Sequence, residues 1–147
     1  MFTPNTLKRK KIRSKNKHKY GAKKTIYNGV EYPSKLEART AYQIDLRIKA
    51  GEFLKVNRQY PVLMTPFDKL GNRRDDLTIK YVLDFKLHKV DGTFLLVESK
   101  GKETEMFRLK KKWITNYWLP NNPKYQYAIV RDKNGRLNWD YITVNQN

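Results

Sequence analysis

Cysteine is absent from the 147 residues, and histidine occurs only as His18 and His88. These two gaps remove disulfide scaffolds, thiolate zinc sites and cysteine nucleophiles, fit a reducing compartment, and leave any metal to oxygen ligands. No apolar run approaches the roughly 20 residues needed to cross a bilayer, and the N-terminus lacks the apolar region of a secretory signal. The expectation is a soluble, intracellular protein of the cytoplasm. Acids are scarce as well: 14 Asp and Glu face 32 Lys and Arg, for a net charge of +18. Such an excess points to a polyanionic partner, nucleic acid first. Hydrophobic residues make up 39% and aromatics 13%, including 10 Tyr and 3 Trp. This is enough to fill one core, and the length suits one domain.

The charge is unevenly distributed. Residues 1–24 carry ten Lys and Arg, among them Lys8, Arg9, Lys10, Lys11 and Arg13, and no acid. Dense like charge with few apolar groups reads as a flexible basic arm that meets phosphates, ahead of a folded domain over 25–147. Within the domain, Thr25 to Tyr32 reads as a hairpin turning at Asn28-Gly29. Ser34 with Glu37 forms a capping box, opening a helix through Leu36, Ala41, Ile44 and Ile48 that stops at Gly51. Phe53 to Met64 reads as a strand, with Pro61 demanding an edge or a bulge. Thr78 to His88 alternates with a period of two, and the Asp91-Gly92 turn joins it to a strand over Thr93 to Lys100. A helix is predicted over Glu103 to Leu119, on a stripe of Met106, Leu109, Trp113, Ile114 and Tyr117. Strands follow at Lys124 to Val130 and Leu137 to Val144, around Asn134-Gly135. The class is α/β or α+β, with a mixed central sheet.

Three acids and one lysine stand out. Residues two apart on a strand share a face, so Glu98 and Lys100 project together, and Asp84 on the hairpin partner lies beside them. Two adjacent carboxylates repel and are costly to bury. A hard divalent cation such as Mg²⁺ relieves that repulsion and accepts oxygen ligands. Such a cation polarises a phosphate oxygen and acidifies water for attack on a phosphodiester, while Lys100 can orient the nucleophile and offset developing charge. Glu37 has a sufficient structural reason in its cap position.

The segments Ser34-Lys35-Leu36-Glu37-Ala38, Val82-Leu83-Asp84-Phe85 and Val97-Glu98-Ser99-Lys100-Gly101 together resemble the PD-(D/E)XK nuclease superfamily, the restriction-endonuclease-like fold. Their order and spacing are most similar to the phage endonuclease I type of junction-resolving enzyme and its small phage relatives, over roughly residues 20 to 130. The resemblance implies an αβββαβ core, Mg²⁺ dependence with Mn²⁺ substituting, and hydrolysis of DNA phosphodiesters. It implies Glu37, Asp84, Glu98 and Lys100 as active-site residues, and the Ser99 carbonyl as a metal ligand beside Asp84, Glu98 and Glu37. It further implies branched DNA such as Holliday junctions as substrate, and the host cytoplasm as location. Symmetric resolution of a four-way junction takes two active sites, hence a homodimer. Leu83 stands where the superfamily often has proline.

Other residues have more ordinary readings. Lys102, Arg108, Lys110, Lys111 and Lys112 form either a solvated helix face or a track for DNA phosphates. His88 shares the strand face of Asp84 but stands roughly 13 Å away, a polar strand residue rather than a base. Trp113, Tyr117 and Trp118 read as core, and Arg58 and Gln59 lie within reach of a phosphate. Two rival functions are a nuclease of the same fold that cuts linear duplex or nicks one strand, and a non-catalytic basic DNA-binding module. The arm alone would also suit an RNA-binding protein, which the central acids oppose.

Overall fold

The computed structural model describes residues 22–144. Most of the basic arm, including Lys8, Arg9, Lys10, Lys11 and Arg13, lies outside the described residues. Lys24, at its end, ion-pairs with Glu31 at 2.9 Å. Strands β1 (Thr25–Tyr27) and β2 (Val30–Tyr32) form the expected hairpin. Its turn is closed by Asn28 and Gly29 at φ +49° and +74°, the left-handed pair that a tight antiparallel turn requires. The Tyr27 hydroxyl donates to Asp45 Oδ2 at 2.6 Å, which ties this hairpin to the helix that follows.

Helix α1 (Lys35–Lys49) starts where the Ser34 hydroxyl accepts the Glu37 N–H, and ends ahead of Gly51 at φ +81°. The five-stranded sheet has the order β3-β4-β5-β6-β7, with β3 (Phe53–Met64), β4 (Ile79–Lys89), β5 (Phe94–Ser99), β6 (Tyr125–Lys133) and β7 (Arg136–Tyr141). Pro61 sits on the edge strand β3, where its missing N–H costs nothing. All neighbours are antiparallel except β5 and β6, which the α2 (Glu105–Trp113) segment joins as a crossover. The succession α1, β3, β4, β5, α2, β6 is the expected αβββαβ order in an α+β architecture with a mixed sheet. Among the described residues no helix is long and apolar enough to cross a membrane.

Two cores flank the sheet. One joins Ala38, Ala41 and Ile44 of α1 to Phe85, Leu87, Leu95 and Val97. The other joins Phe107, Ile114 and Leu119 to Val62, Met64, Tyr81, Leu83, Leu96 and Tyr127. Leu83 and Phe85 are two apart on one strand yet belong to different cores, so β4 turns over between them, at Asp84.

The second helix departs from its predicted course. After α2 the chain widens into a π-helical turn over Ile114–Trp118, closed by the Leu119 N–H to the Ile114 carbonyl, and then tightens into a 3₁₀ turn. In an α-helix Ile114 and Leu119 would point about 140° apart. The wider turn lets both be buried and brings the Tyr117 hydroxyl to the Thr65 carbonyl at 2.7 Å. The stripe facing the core is therefore Phe107, Ile114 and Leu119, while Met106 and Leu109 are exposed. The last strand also ends at Tyr141, short of the predicted Val144.

Ile44 is 1% exposed, whereas Leu46 on the same helix is 45% exposed. Ile44→Ala is expected to cost about 2–5 kcal/mol and Leu46→Ala under about 1 kcal/mol, by urea denaturation of the two variants in parallel. Equal costs would contradict this placement of α1.

Candidate active site

The site forms where two strands part. The β4–β5 ladder runs from His88 opposite Phe94 to Phe85 opposite Val97, and goes no further although both strands continue. Beyond it β5 stays with β6, through Ser99 opposite Val130, while β4 stays with β3. The Ser99 N–H thereby loses a ladder partner and donates instead to Asp84 Oδ2 at 2.7 Å. A carboxylate here takes over a backbone acceptor's work and is fixed in the gap.

Glu98 stands beside it, nine-tenths buried, with its Oε2 atom without a hydrogen-bond partner. A buried charged oxygen left in that condition is costly, and its commonest remedies are protonation or a cation. Burial and then the Asp84 charge push the Glu98 carboxyl well above the usual range, with Lys100 opposing. Burial also raises Asp84, against the Ser99 N–H, Lys100 and Arg58, which hold it down. Glu37 is buried on α1 and pushed up to about 7 by burial and by Asp84, with Arg58 opposing. The three carboxyls are within electrostatic reach of one another, as the sequence predicts.

The lysine side of the site is a pocket of about 310 Å³ lined by Lys80, Tyr81, Glu98, Lys100, Thr104, Phe107 and Lys110, among others. Lys100 Nζ lies 5.0 Å from the centre of the Phe107 ring, and Lys110 Nζ lies 5.1 Å from that of Tyr81. These aromatic faces hold the ammonium groups while leaving their charge available. On the opposite side, Arg58 rests 4.1 Å over Tyr32, and the Gln59 amide donates to Glu37 Oε1 at 3.4 Å.

Several predicted residues have other engagements. Arg108 lies 3.6 Å from Glu103, which also binds Arg131. Lys112 is exposed and Lys111 half-buried on α2, and Lys102 is exposed at its approach. His88 meets Asn57 at 2.6 Å, a polar strand contact as expected. Lys86, two residues beyond Asp84, is drawn away among Tyr60, Phe94 and Tyr125.

Two contributors escape the sequence reading. Lys80 looks like an ordinary solvated strand position. Thr40, fully buried one turn after Glu37, accepts from the Ser99 hydroxyl at 2.9 Å and donates to the Leu36 carbonyl, latching α1 to the end of β5. Its only signal was the shared helix face of residues 37, 40, 41 and 44.

The oxygen-only donor set suits a hard cation. Among the described residues no group of three or more Asp, Glu or His is gathered to hold a metal by side chains alone. A Mg²⁺ or Mn²⁺ ion would therefore rest on the Asp84 and Glu98 carboxylates, the usual one or two, with main-chain oxygen and water completing its shell. The unpartnered Glu98 oxygen is the observation that fits such an ion.

Comparison with known proteins adds a family and little else. No curated protein matches the chain. A solved structure described as "Crystal structure of SSO0001" is similar at 14% identity and a TM-score of 0.44, over 74% of this chain and 51% of that one. The chain thus spans about half the length of that structure. Residues 17–137 match the family described as "Protein of unknown function (DUF1064)". That match takes in both helices, the sheet as far as the start of β7, and every residue of the site, and the chain belongs to this family.

Proposed function

We propose that this protein is a metal-dependent DNA endonuclease of the PD-(D/E)XK type. Branched DNA such as a Holliday junction is its leading substrate, and phage recombination or DNA processing its setting. The observation that carries the reading is the pairing of Asp84 with the buried Glu98, whose Oε2 has no partner, at the strand divergence, with Lys100 in the pocket that Glu98 lines. Buried acids perturbed by one another, beside a cationic pocket, are what phosphodiester hydrolysis needs and what a passive DNA-binding surface has no use for. The αβββαβ order and the motif spacing support the same reading. The branched substrate rests on the sequence resemblance.

Asp84 and Glu98 would hold Mg²⁺ or Mn²⁺, together with the Ser99 carbonyl. When bound, the ion supplies Lewis-acid polarisation of the phosphate and a more acidic water. The residues do the rest. Asp84, fixed by the Ser99 N–H, keeps one oxygen turned from that bond. Lys100 places its ammonium where negative charge develops on the phosphoryl oxygens. Glu37 sits in the carboxyl range from which a proton can be taken up near neutral pH. Lys80 and Lys110 hold neighbouring phosphates of the strand, with Lys102 at the approach to α2 and Lys111 and Lys112 on it extending the contact.

With Mg²⁺ the protein is expected to cut a labelled four-way junction in preference to a matched linear duplex, and EDTA is expected to stop it. Asp84→Ala, Glu98→Ala and Lys100→Ala should each lose at least about a hundredfold in rate while still binding DNA. Tight, salt-sensitive binding with no cutting in Mg²⁺ or Mn²⁺ would instead favour the non-catalytic DNA-binding module. Equal cutting of linear duplex would move the substrate to DNA ends or nicks. Sedimentation on and off the junction reports the dimer.

Folding raises the pKa of Glu37, Asp84 and Glu98, so the folded state takes up protons. Their contribution is fully present below the ordinary carboxylate range and is lost as pH rises, through about 7 for Glu37. Between pH 5 and pH 8 the melting temperature of the metal-free protein should therefore fall. Mn²⁺ should restore it most at the higher pH, and Glu98→Gln should flatten the metal-free fall. A melting temperature indifferent to both pH and Mn²⁺ would count against a carboxylate cluster.

A further inference from the structure

Among the described residues three non-glycines have a positive φ. Asn28 and Asn134 occupy Asn-Gly hairpin turns, where the geometry is expected. Gln59, at φ +52°, does not: it lies in the middle of β3. A bulky residue rarely adopts this conformation, and when it does so inside a strand the surroundings must enforce it. Its own burial offers no reason, because Gln59 is exposed, and although the turn lets β3 change cores together with β4, from Val56 to Val62, glycine would serve that as well.

Its location offers one. The β3–β4 ladder passes from Arg58 opposite Phe85 to Tyr60 opposite Leu83, stepping over Gln59 and Asp84, which face each other across the gap. The Gln59 carboxamide reaches Glu37 Oε1 at 3.4 Å. The strained backbone therefore aims a neutral amide at the Glu37 carboxylate, at the strand position opposite Asp84. Glutamine offers both a donor and an acceptor, which lysine and arginine do not. It can hold a carboxylate by its N–H and a water by its oxygen without adding charge.

We propose that Gln59 is a positioning residue of the hydrolytic site, holding the Glu37 carboxylate and the attacking water in line with Asp84. This role rests on the nuclease reading and deepens it. If the left-handed turn served only the sheet, glycine would serve it better.

Three full-length variants separate these roles, assayed with the parent protein in Mg²⁺ on a four-way junction. Gln59→Gly relieves the backbone and removes the amide. It is expected to melt a few degrees higher than the parent and to lose at least about tenfold in kcat, with KM for DNA within about twofold. Gln59→Asn keeps an amide on a residue that tolerates positive φ, and is expected to recover a substantial part of the rate. Gln59→Ala, with neither, should lose rate and stability together. A Gln59→Gly protein that cuts as fast as the parent overturns the proposal, as does a Gln59→Asn protein no faster than Gln59→Gly. A parent protein that cuts no DNA in Mg²⁺ or Mn²⁺ overturns the nuclease reading and this role with it.

Discussion

The hydrogen bond from the Ser99 N–H to Asp84 Oδ2 lets two strands separate without stranding a main-chain donor. A buried N–H with no acceptor costs about 1–3 kcal/mol, so β4 and β5 could part inside a sheet only if something replaced the lost partner. The carboxylate does so, and a charged acceptor makes the stronger bond. Once the strands are free of each other, β4 can turn over, sending Leu83 to the core under α2 and Phe85 to the core under α1. One bond thus lets β4 pass from one core to the other and fixes a carboxylate at their boundary.

The electrostatics follow from that placement. Each carboxyl has a main-chain donor that favours its charged form, Ser99 for Asp84 and Asp84 for Glu98, but Glu98 keeps one buried oxygen, Oε2, with none. Burial acts on both, and the Asp84 charge is a further burden on Glu98. The pair is therefore graded: Asp84 is the member more readily ionised, Glu98 the one left for a proton or a cation. In an ordinary structural site selection would find a hydrophobic replacement of Glu98 easy, since a buried unsatisfied carboxyl is destabilising. On the nuclease reading proposed above, the stability that Glu98 costs beneath Lys100 is what the chemistry of the site requires.

Much of this arrangement was legible in the sequence because turns set register. The Asp91-Gly92 turn places Phe85 opposite Val97, and by continuation Asp84 next to Glu98. The period of two over Ile79 to His88, the Ser34 cap and the Asn-Gly turns likewise map directly onto elements. What escaped depends on information no local pattern carries. The end of the β4–β5 ladder is a competition between two sheet neighbours. The left-handed Gln59 has no composition signal, since neither Arg58 nor Tyr60 asks for it. The π-helical turn at Ile114 is imposed by the demand to bury Leu119 on the same side, so the stripe of Met106 and Leu109 faced solvent instead. The capping box was half right: the Ser34 hydroxyl caps the helix, but the Glu37 carboxylate meets Gln59 across the site.

The helix cations are fewer than they look, because Glu103 engages Arg108 and Arg131, and Arg131 also reaches Asp140. That network clamps the start of α2 to β6 and β7 and takes basic groups out of play. The cations that remain turned to the site are Arg58 on one side and Lys80, Lys100 and Lys110 on the other, against Glu37, Asp84 and Glu98. With all three acids ionised, four positive charges meet three negative ones in a partly buried space, a near balance with only a slight attraction for an anion. With a divalent cation present the same space carries a clear positive excess, and a phosphodiester then becomes the natural occupant. On the proposed reading, metal and DNA would each favour the other's binding by the same factor, whichever binds first.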